Sequence, residues 1–404
     1  MRHDIYPILL VFALSLVVAS LAFKPILAFA RKYKFYDKPN ERKLQRTPVP
    51  VMGGFVVFIG TVIGLLCYMF IRDVTPLLPV VAAMLVMLVV GAYDDVRDVS
   101  ATKKLCIEIA VVVALAIVNG YGINDFHGLW GIHDISPWIA WPLTVLASVG
   151  IINAINMIDG INGLSSGICI MAFGFYGLFF FYSHDFVHTA LAVAIVGALI
   201  PFFIMNVFGE RSKMFIGDAG TMMLGVVLCD MVVTMLAKDS MCDKQIRHTN
   251  FCLFAFALAV LAIPVFDTLR VMLGRICRGE SPFSADKTHL HHAFIDYGFH
   301  HLETALMEII LNMIVIGFWW FIYKSHLSEQ WQLYGVIAAA IAVCFGLYYM
   351  LGRRRRIAKR VKEKYGVSII EFERMTNEEK RQLIEKKSLE DQRLGSTTKP
   401  VCTE

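Results

Sequence analysis

Eleven apolar stretches of roughly bilayer length follow one another along this chain, with short polar connections between them. They run over 5–23, 51–71, 77–93, 105–123, 138–156, 164–182, 189–207, 219–236, 251–273, 305–323 and 331–351. A helix that crosses the hydrocarbon core needs about 20 mainly apolar residues. Only a backbone that satisfies its own hydrogen bonds is stable there. The expected fold class is therefore all-α: a polytopic membrane protein of about eleven transmembrane helices, with no large soluble domain. Composition agrees, since 57% of the residues are apolar and 18% charged, against about 45–50% and 25% in soluble domains. The first stretch, Ile5–Phe23, is followed at once by Lys24 and reads as the first membrane helix rather than a cleavable leader.

The net charge of +5 is unevenly placed, with 15 of the 38 Lys and Arg in the last 53 residues. Eleven spans put the two ends on opposite sides. The connections at 24–50, 94–104, 157–163, 208–218 and 274–304 carry 16 Lys and Arg, while the opposite connections and the N-terminus carry six. The positive-inside rule then places the C-terminus in the cytosol and the N-terminus outside, and does so without the tail. Residues 1–351 are expected to form the membrane domain and 352–404 a basic cytosolic tail. The tail opens GRRRRIAKRVKEKYG, which suits a stop-transfer cluster or an amphipathic helix on anionic lipid; beyond about Ser388 it reads as disordered. Because the charge flanks apolar spans, nucleic-acid binding is not expected. Trp130, Trp138 and Trp141 on the opposite side suit an interfacial aromatic belt. No internal repeat of the kind common in transporters is present.

The unusual polar motifs all fall on the inner side. Asp94 and Asp95 end an apolar run in YDDVRD, with Asp98 one turn further. Adjacent carboxylates repel, so a hard divalent cation is one expectation and a solvated helix end near Arg97 and Lys103 the other. Asp159 lies in NMIDGING, where glycines permit a tight turn or close approach to a ligand. Asp218 in IGDAG could hold a metal at the membrane edge or cap the helix that starts near Ala219. Asp267 and Arg270 lie inside the ninth stretch at i and i+3, where charges are functional by default or simply paired. The loop from Gly274 to His301 holds five of the chain's 12 histidines, with Arg275, Arg278 and Lys287. An acidic, metal-binding cluster beside cationic phosphate contacts is what phosphoryl transfer requires. No GxxxxGK[ST] loop is present. The nine cysteines have no zinc spacing; Cys242 and Cys252 are a candidate pair outside the cell.

In order, the motifs are PVPVMGG at 48–54, the Asp94–Asp95 pair, NAINMIDGING at 153–163, FIGDAG at 215–220 and RICRGESPFSADKTHLHH at 275–292. Together they resemble the polyprenyl-phosphate N-acetylhexosamine-1-phosphate transferases, over about Asp37 to Tyr349. The SPF segment and the spacing of His289, His291 and His292 resemble the bacterial undecaprenyl-phosphate branch that uses UDP-GlcNAc. They are less similar to the peptidoglycan branch with its Pro-x-His-His-His loop.

The resemblance implies an enzyme that moves HexNAc-1-phosphate, GlcNAc-1-phosphate first, from a UDP-sugar to undecaprenyl phosphate and releases UMP. That would be the first membrane step of a cell-surface polysaccharide pathway such as lipopolysaccharide or wall polymer, in the bacterial inner membrane. It implies Mg2+, with Mn2+ as the alternative. Asp94, Asp95, Asp159, His291 and His292 are implied as catalytic, and Asp218 and Asp95 as metal ligands. Lys104, Asn156, Asn206, Arg275, Arg278 and His289 are implied to bind substrate. A homodimer is an open alternative for the oligomeric state. Two departures stand out: Asn162 replaces the family's second acid, and Thr221 replaces a commoner Ser. The rivals are a phospho-MurNAc-pentapeptide transferase and, from another class, a secondary transporter. Within the enzyme reading, direct attack of the lipid phosphate competes with a covalent intermediate on Asp94.

Overall fold

The computed structural model describes residues 2–37, 48–97, 99–210, 212–282, 287–367 and 369–395. Asp98, the Phe283–Asp286 part of the histidine loop and the last nine residues of the tail lie outside the described residues. Every apolar stretch is helical. The first eight are α1 (Arg2–Lys32), α2 (Gly53–Tyr68), α3 (Leu78–Arg97), α4 (Ala101–Asn119), α5 (Pro137–Met157), α6 (Leu164–Tyr182), α7 (Phe186–Phe208) and α8 (Gly217–Leu236). A short α9 (Met241–Ile246) leads to α10 (Leu253–Val260) and α11 (Ala262–Cys277), and α12 (Leu290–Tyr297) carries His291 and His292. Then come α13 (His301–Lys324), α14 (Glu329–Ile341), α15 (Tyr348–Tyr365), α16 (Ile369–Arg374) and α17 (Asn377–Gly395).

Among the described residues, eight helical segments are long and apolar enough to cross a membrane, and α10 with α11 makes a ninth as a bent pair. The chain is a multi-pass membrane protein. The two remaining stretches are α2, of 16 residues, and α4, whose first turns carry Lys103, Lys104 and Glu108.

Four features differ from the sequence expectation. α4 starts four residues early, after Ser100 in extended backbone, and stops at Gly120, which adopts the left-handed conformation (φ 65°); this brings Lys104 inside the helix. The ninth stretch is broken by 76° between α10 and α11. Pro264 has no N–H to bond the carbonyl of Val260. Asn312 of α13, fully buried, repairs the break: its amide donates to Ala259 O (3.2 Å) and Val260 O (3.0 Å), and its oxygen accepts from Ile263 N (2.9 Å). The last stretch passes through a π-helical turn, Ala342–Leu347, into α15, so the backbone has no break at 351–352. The tail, expected to lose order after Ser388, stays helical to Gly395. Its Glu, Lys, Leu, Gln and Arg are strong helix formers, and that outweighs its low hydrophobicity.

The bundle is built around α8, whose membrane-length window is wholly buried. α8 packs on α3, α5 and α2. The approach of α3 is close enough to require glycine, since a Cβ on Gly91 would lie 2.4 Å from Ala219 N and Asp218 O. Two short strands, β1 (Tyr36–Asp37) and β2 (Val49–Pro50), pair antiparallel. β2 leads into a ladder in which Phe215 N donates to Pro50 O (2.9 Å), Gly53 N to Phe215 O (2.9 Å) and Gly54 N to Ile216 O (3.0 Å). The PVPVMGG and FIGDAG motifs are thus hydrogen-bonded partners. The candidate Cys242–Cys252 pair is not formed. Both cysteines are free; Cys242 is buried on α9, and the Cys252 sulfur accepts Ala255 N at the start of α10 (3.4 Å).

Candidate active site

The polar motifs meet at one end of the bundle, where α3 and α5 finish and α4, α6 and α8 begin. A cavity of about 370 Å³ opens there, lined by Asp94, Asp95, Asp159, Asn206, Asp218 and His292 of the expected site residues. Asp37, Asn162, Ser165 and His301 also line it.

Its electrostatic centre is Lys104. From the first turn of α4 its ammonium donates to Asp94 Oδ2 (2.6 Å) and to Asp218 Oδ2 (2.9 Å). Asp94 Oδ1 accepts Val99 N (2.5 Å) from the chain leaving α3. Asp218 Oδ1 accepts the amide of Asn156 (2.9 Å), which also donates to Thr221 Oγ1 (2.9 Å). Thr221 therefore uses the hydroxyl it shares with serine.

Asp95 plays a different part. Its two oxygens accept Asp218 N (2.9 Å) and Ala219 N (3.2 Å), the first amides of α8. Those donors have no partner within the helix, and a carboxylate beside them is favoured by the helix dipole. Asp218 does not cap its own helix; Asp95 caps it from α3. The sequence offered no sign of this, because the two residues are 123 positions apart.

Asp159 sits in the turn between α5 and α6 and accepts Ser165 Oγ (2.6 Å). Burial pushes its carboxyl up to about 7, with Ser165 opposing and Asp218 and Asp37 adding to the rise. Asn206 holds the same turn by accepting Gly163 N (2.8 Å) and donating to Met214 O (2.9 Å).

The three histidines separate. His292 lines the cavity. His291 is buried, its Nδ1 has no hydrogen-bond partner among the described residues, and its Nε2 would lie 2.3 Å from a Cβ on Gly160. Burial, with His292 and His289 nearby, holds the His291 imidazole well below its ordinary pKa, so it is neutral. His289 points away and bonds Asp267 Oδ2 through Nδ1 (2.8 Å). Arg275 donates to Pro282 O (2.6 Å) and Arg278 to Glu280 (2.9 Å); neither lines the cavity.

The donor set is made of oxygens, with no cysteine, and suits a hard cation such as Mg2+. Among the described residues no three His, Cys, Asp or Glu converge as a closed metal cage. Mg2+ commonly uses one or two carboxylates and leaves the rest to water and substrate phosphate, and Asp94 and Asp218 already share one cation, the Lys104 ammonium. The residues fit the ion in donor type and charge.

Beside the acidic cluster runs an apolar groove of about 850 Å³, lined by Leu105 and Ile109 of α4, by α5 from Pro142 to Asn153, and by α10 and α11 from Phe254 to Met272. Its polar end is Asn153, one turn from Asn156, and Asn153 donates to the buried Glu108 (2.5 Å). Leu105 adjoins Lys104, so the groove comes within one turn of the Lys104 and Asn156 side chains that bond Asp94 and Asp218. Ser165, Asp37 and the Glu108–Asn153 pair were not singled out from sequence, and His301 was read only as one of the five loop histidines. Only Ser165 carried a signal, a hydroxyl within two turns of Asp159.

Residues 77–236 match the family model described as Glycosyl transferase family 4. The chain is 28% identical over 372 residues to the undecaprenyl-phosphate alpha-N-acetylglucosaminyl 1-phosphate transferase of Salmonella typhi, covering 87% of this chain and 94% of that protein. It is 28% identical over 345 residues to the protein of the same name from Escherichia coli (strain K12), covering 82% and 88%. The family resemblance read from the five motifs is borne out.

Proposed function

We propose that this chain, with its glycosyl transferase family 4 segment, transfers a HexNAc-1-phosphate, GlcNAc-1-phosphate first, from a UDP-sugar to undecaprenyl phosphate and releases UMP. The observation that carries the reading is the juxtaposition of Lys104, shared by Asp94 and Asp218, with a lipid-sized apolar groove one helical turn away. The relatives are named for the same reaction class. The motif-bearing helix ends form the cytosolic face of the bacterial inner membrane in this reading, the side that the charge bias assigns.

The polyprenyl chain lies in the groove and its phosphate reaches the Lys104 end. Lys104 attracts that phosphate and positions one of its oxygens. Asp94, bonded to Lys104, takes a proton from the phosphate when it arrives protonated. The phosphate oxygen attacks the β-phosphorus of the UDP-sugar; the bond from that phosphorus to the bridging oxygen breaks, and its electron pair leaves with UMP. Asp218, with Asp95 beside it, would hold Mg2+, which when bound disperses charge on the diphosphate. His292 faces the diphosphate as a hydrogen-bond donor, and His291 packs behind it. Asp159 and Asn206 shape the turn beside the nucleotide. Both Asp94 oxygens already carry hydrogen bonds, which supports direct displacement over a covalent role for this carboxylate.

The test is the purified protein with undecaprenyl phosphate, Mg2+ and a panel of UDP-sugars, following UMP. UDP-GlcNAc should give the highest kcat/KM. Turnover confined to UDP-MurNAc-pentapeptide would transfer the reading to the peptidoglycan reaction.

A further inference from the structure

We propose that Asp267 is a positioning residue that docks the histidine helix, and that His289 is its strut rather than a ligand of the diphosphate. The inference rests on the transfer reaction above for its activity test, and on the structure alone for its second test.

Asp267 is buried on α11, the arm set at 76° by the break that Asn312 repairs. Its carboxylate gathers partners from two directions. On its own helix, Arg270 donates through Nη2 (2.7 Å) and Nε (3.3 Å). From the loop, His289 Nδ1 donates at 2.8 Å and Leu290 N reaches both oxygens at 3.2 Å. Leu290 is the first residue of α12, and the preceding His289 provides no side-chain cap. Asp267 therefore supplies, from another helix, the acceptor that the start of α12 lacks, where negative charge is also favoured by the dipole. Arg270 reinforces the joint by donating to Thr288 O (2.6 Å) and lying 3.7 Å over the Tyr348 ring.

The contact continues toward the reacting groups. The His289 ring lies parallel to that of His291 (5.6 Å, 9°), and His291 abuts Gly160, next to Asp159. Of the three imidazoles only His292 lines the cavity. His289 thus acts through its Nδ1–H on Asp267, setting the height and angle from which His292 is presented.

Three single variants separate a strut from a ligand. The amide nitrogen of Asn can replace a donor at Nδ1, while the longer Gln extends toward the position of Nε2. His289→Ala should lower kcat on the order of 10²-fold by misplacing His292, with KM for UDP-GlcNAc little changed. His289→Asn should recover most of that loss and His289→Gln should not. Recovery by Gln but not Asn, or a loss confined to KM for the UDP-sugar, would overturn the proposal and return His289 to the diphosphate. The second measurement is amide hydrogen exchange across 288–297 in the same purified variants, which needs no turnover. His289→Ala should speed exchange there and His289→Asn should restore protection; unchanged exchange in His289→Ala overturns the strut even if the transfer reaction is established. If wild-type protein turns over no UDP-sugar while exchange follows the predicted order, the transfer reading fails and the docking role stands.

Discussion

Lys104 donates to Asp218 at 2.9 Å across 114 positions of sequence, while holding Asp94 with the same ammonium at 2.6 Å. Two carboxylates from α3 and α8 are kept together by one cation from α4. That cation adjoins Leu105 on the wall of the apolar groove, so in the proposed reaction it is the residue through which lipid binding and phosphoryl transfer would be coupled.

Lys104→Gln should therefore lower kcat/KM for undecaprenyl phosphate by about 10²–10³-fold, the range seen when one preorganised charge-stabilising donor is removed. Lys104→Arg should retain part of the activity, since it keeps the charge but changes the donor geometry. Steady-state kinetics with the lipid as varied substrate measures both.

Asp95 should reveal itself in stability as well as in turnover. Asp95→Ala removes both acceptors from the start of α8 and should cost about 1–2 kcal/mol, as for loss of a helix cap. Chemical or thermal unfolding in detergent reads this directly. Asp95→Asn, which keeps one acceptor oxygen, should lose less.

Gly150 points into open space on the wall of the groove, with no heavy atom within 4 Å of where its Cβ would lie. Gly150→Phe should fold normally and obstruct the groove. The expected outcome is a raised KM for the polyprenyl phosphate with KM for the UDP-sugar unchanged.

Much of this was legible beforehand, and for physical reasons. Membrane helices announce themselves by length and hydropathy, and the polar motifs that span parity puts on one side do gather at one end of the bundle. What could not be read was the pairing between distant helix ends. Asp218 read equally as a metal ligand or a cap, yet Asp95 is the cap; His289, His291 and His292 share one motif, yet one bonds Asp267, one packs on Gly160 and one lines the cavity. The α10–α11 break was hidden because Pro264 signals a kink but not its partner, and Asn312 lies on another helix.

The Asp159 carboxyl gives a pH signature. Its pKa is raised by burial from 3.8 to about 7, so folding favours its neutral form. Its contribution to stability is fully present below about pH 4 and is lost as pH rises through 7. In metal-free protein, Asp159→Asn should remove that part of the fall in Tm between pH 5 and 8. The comparison of the two melting profiles checks the sign.

The most direct measurement is UMP release from UDP-GlcNAc by purified protein with Mg2+, with and without undecaprenyl phosphate, beside Asp218→Asn of matched melting temperature. The account predicts release that requires the lipid phosphate and falls by about 10²-fold or more in the variant. Release at the same rate without lipid, or full activity in Asp218→Asn, would contradict it.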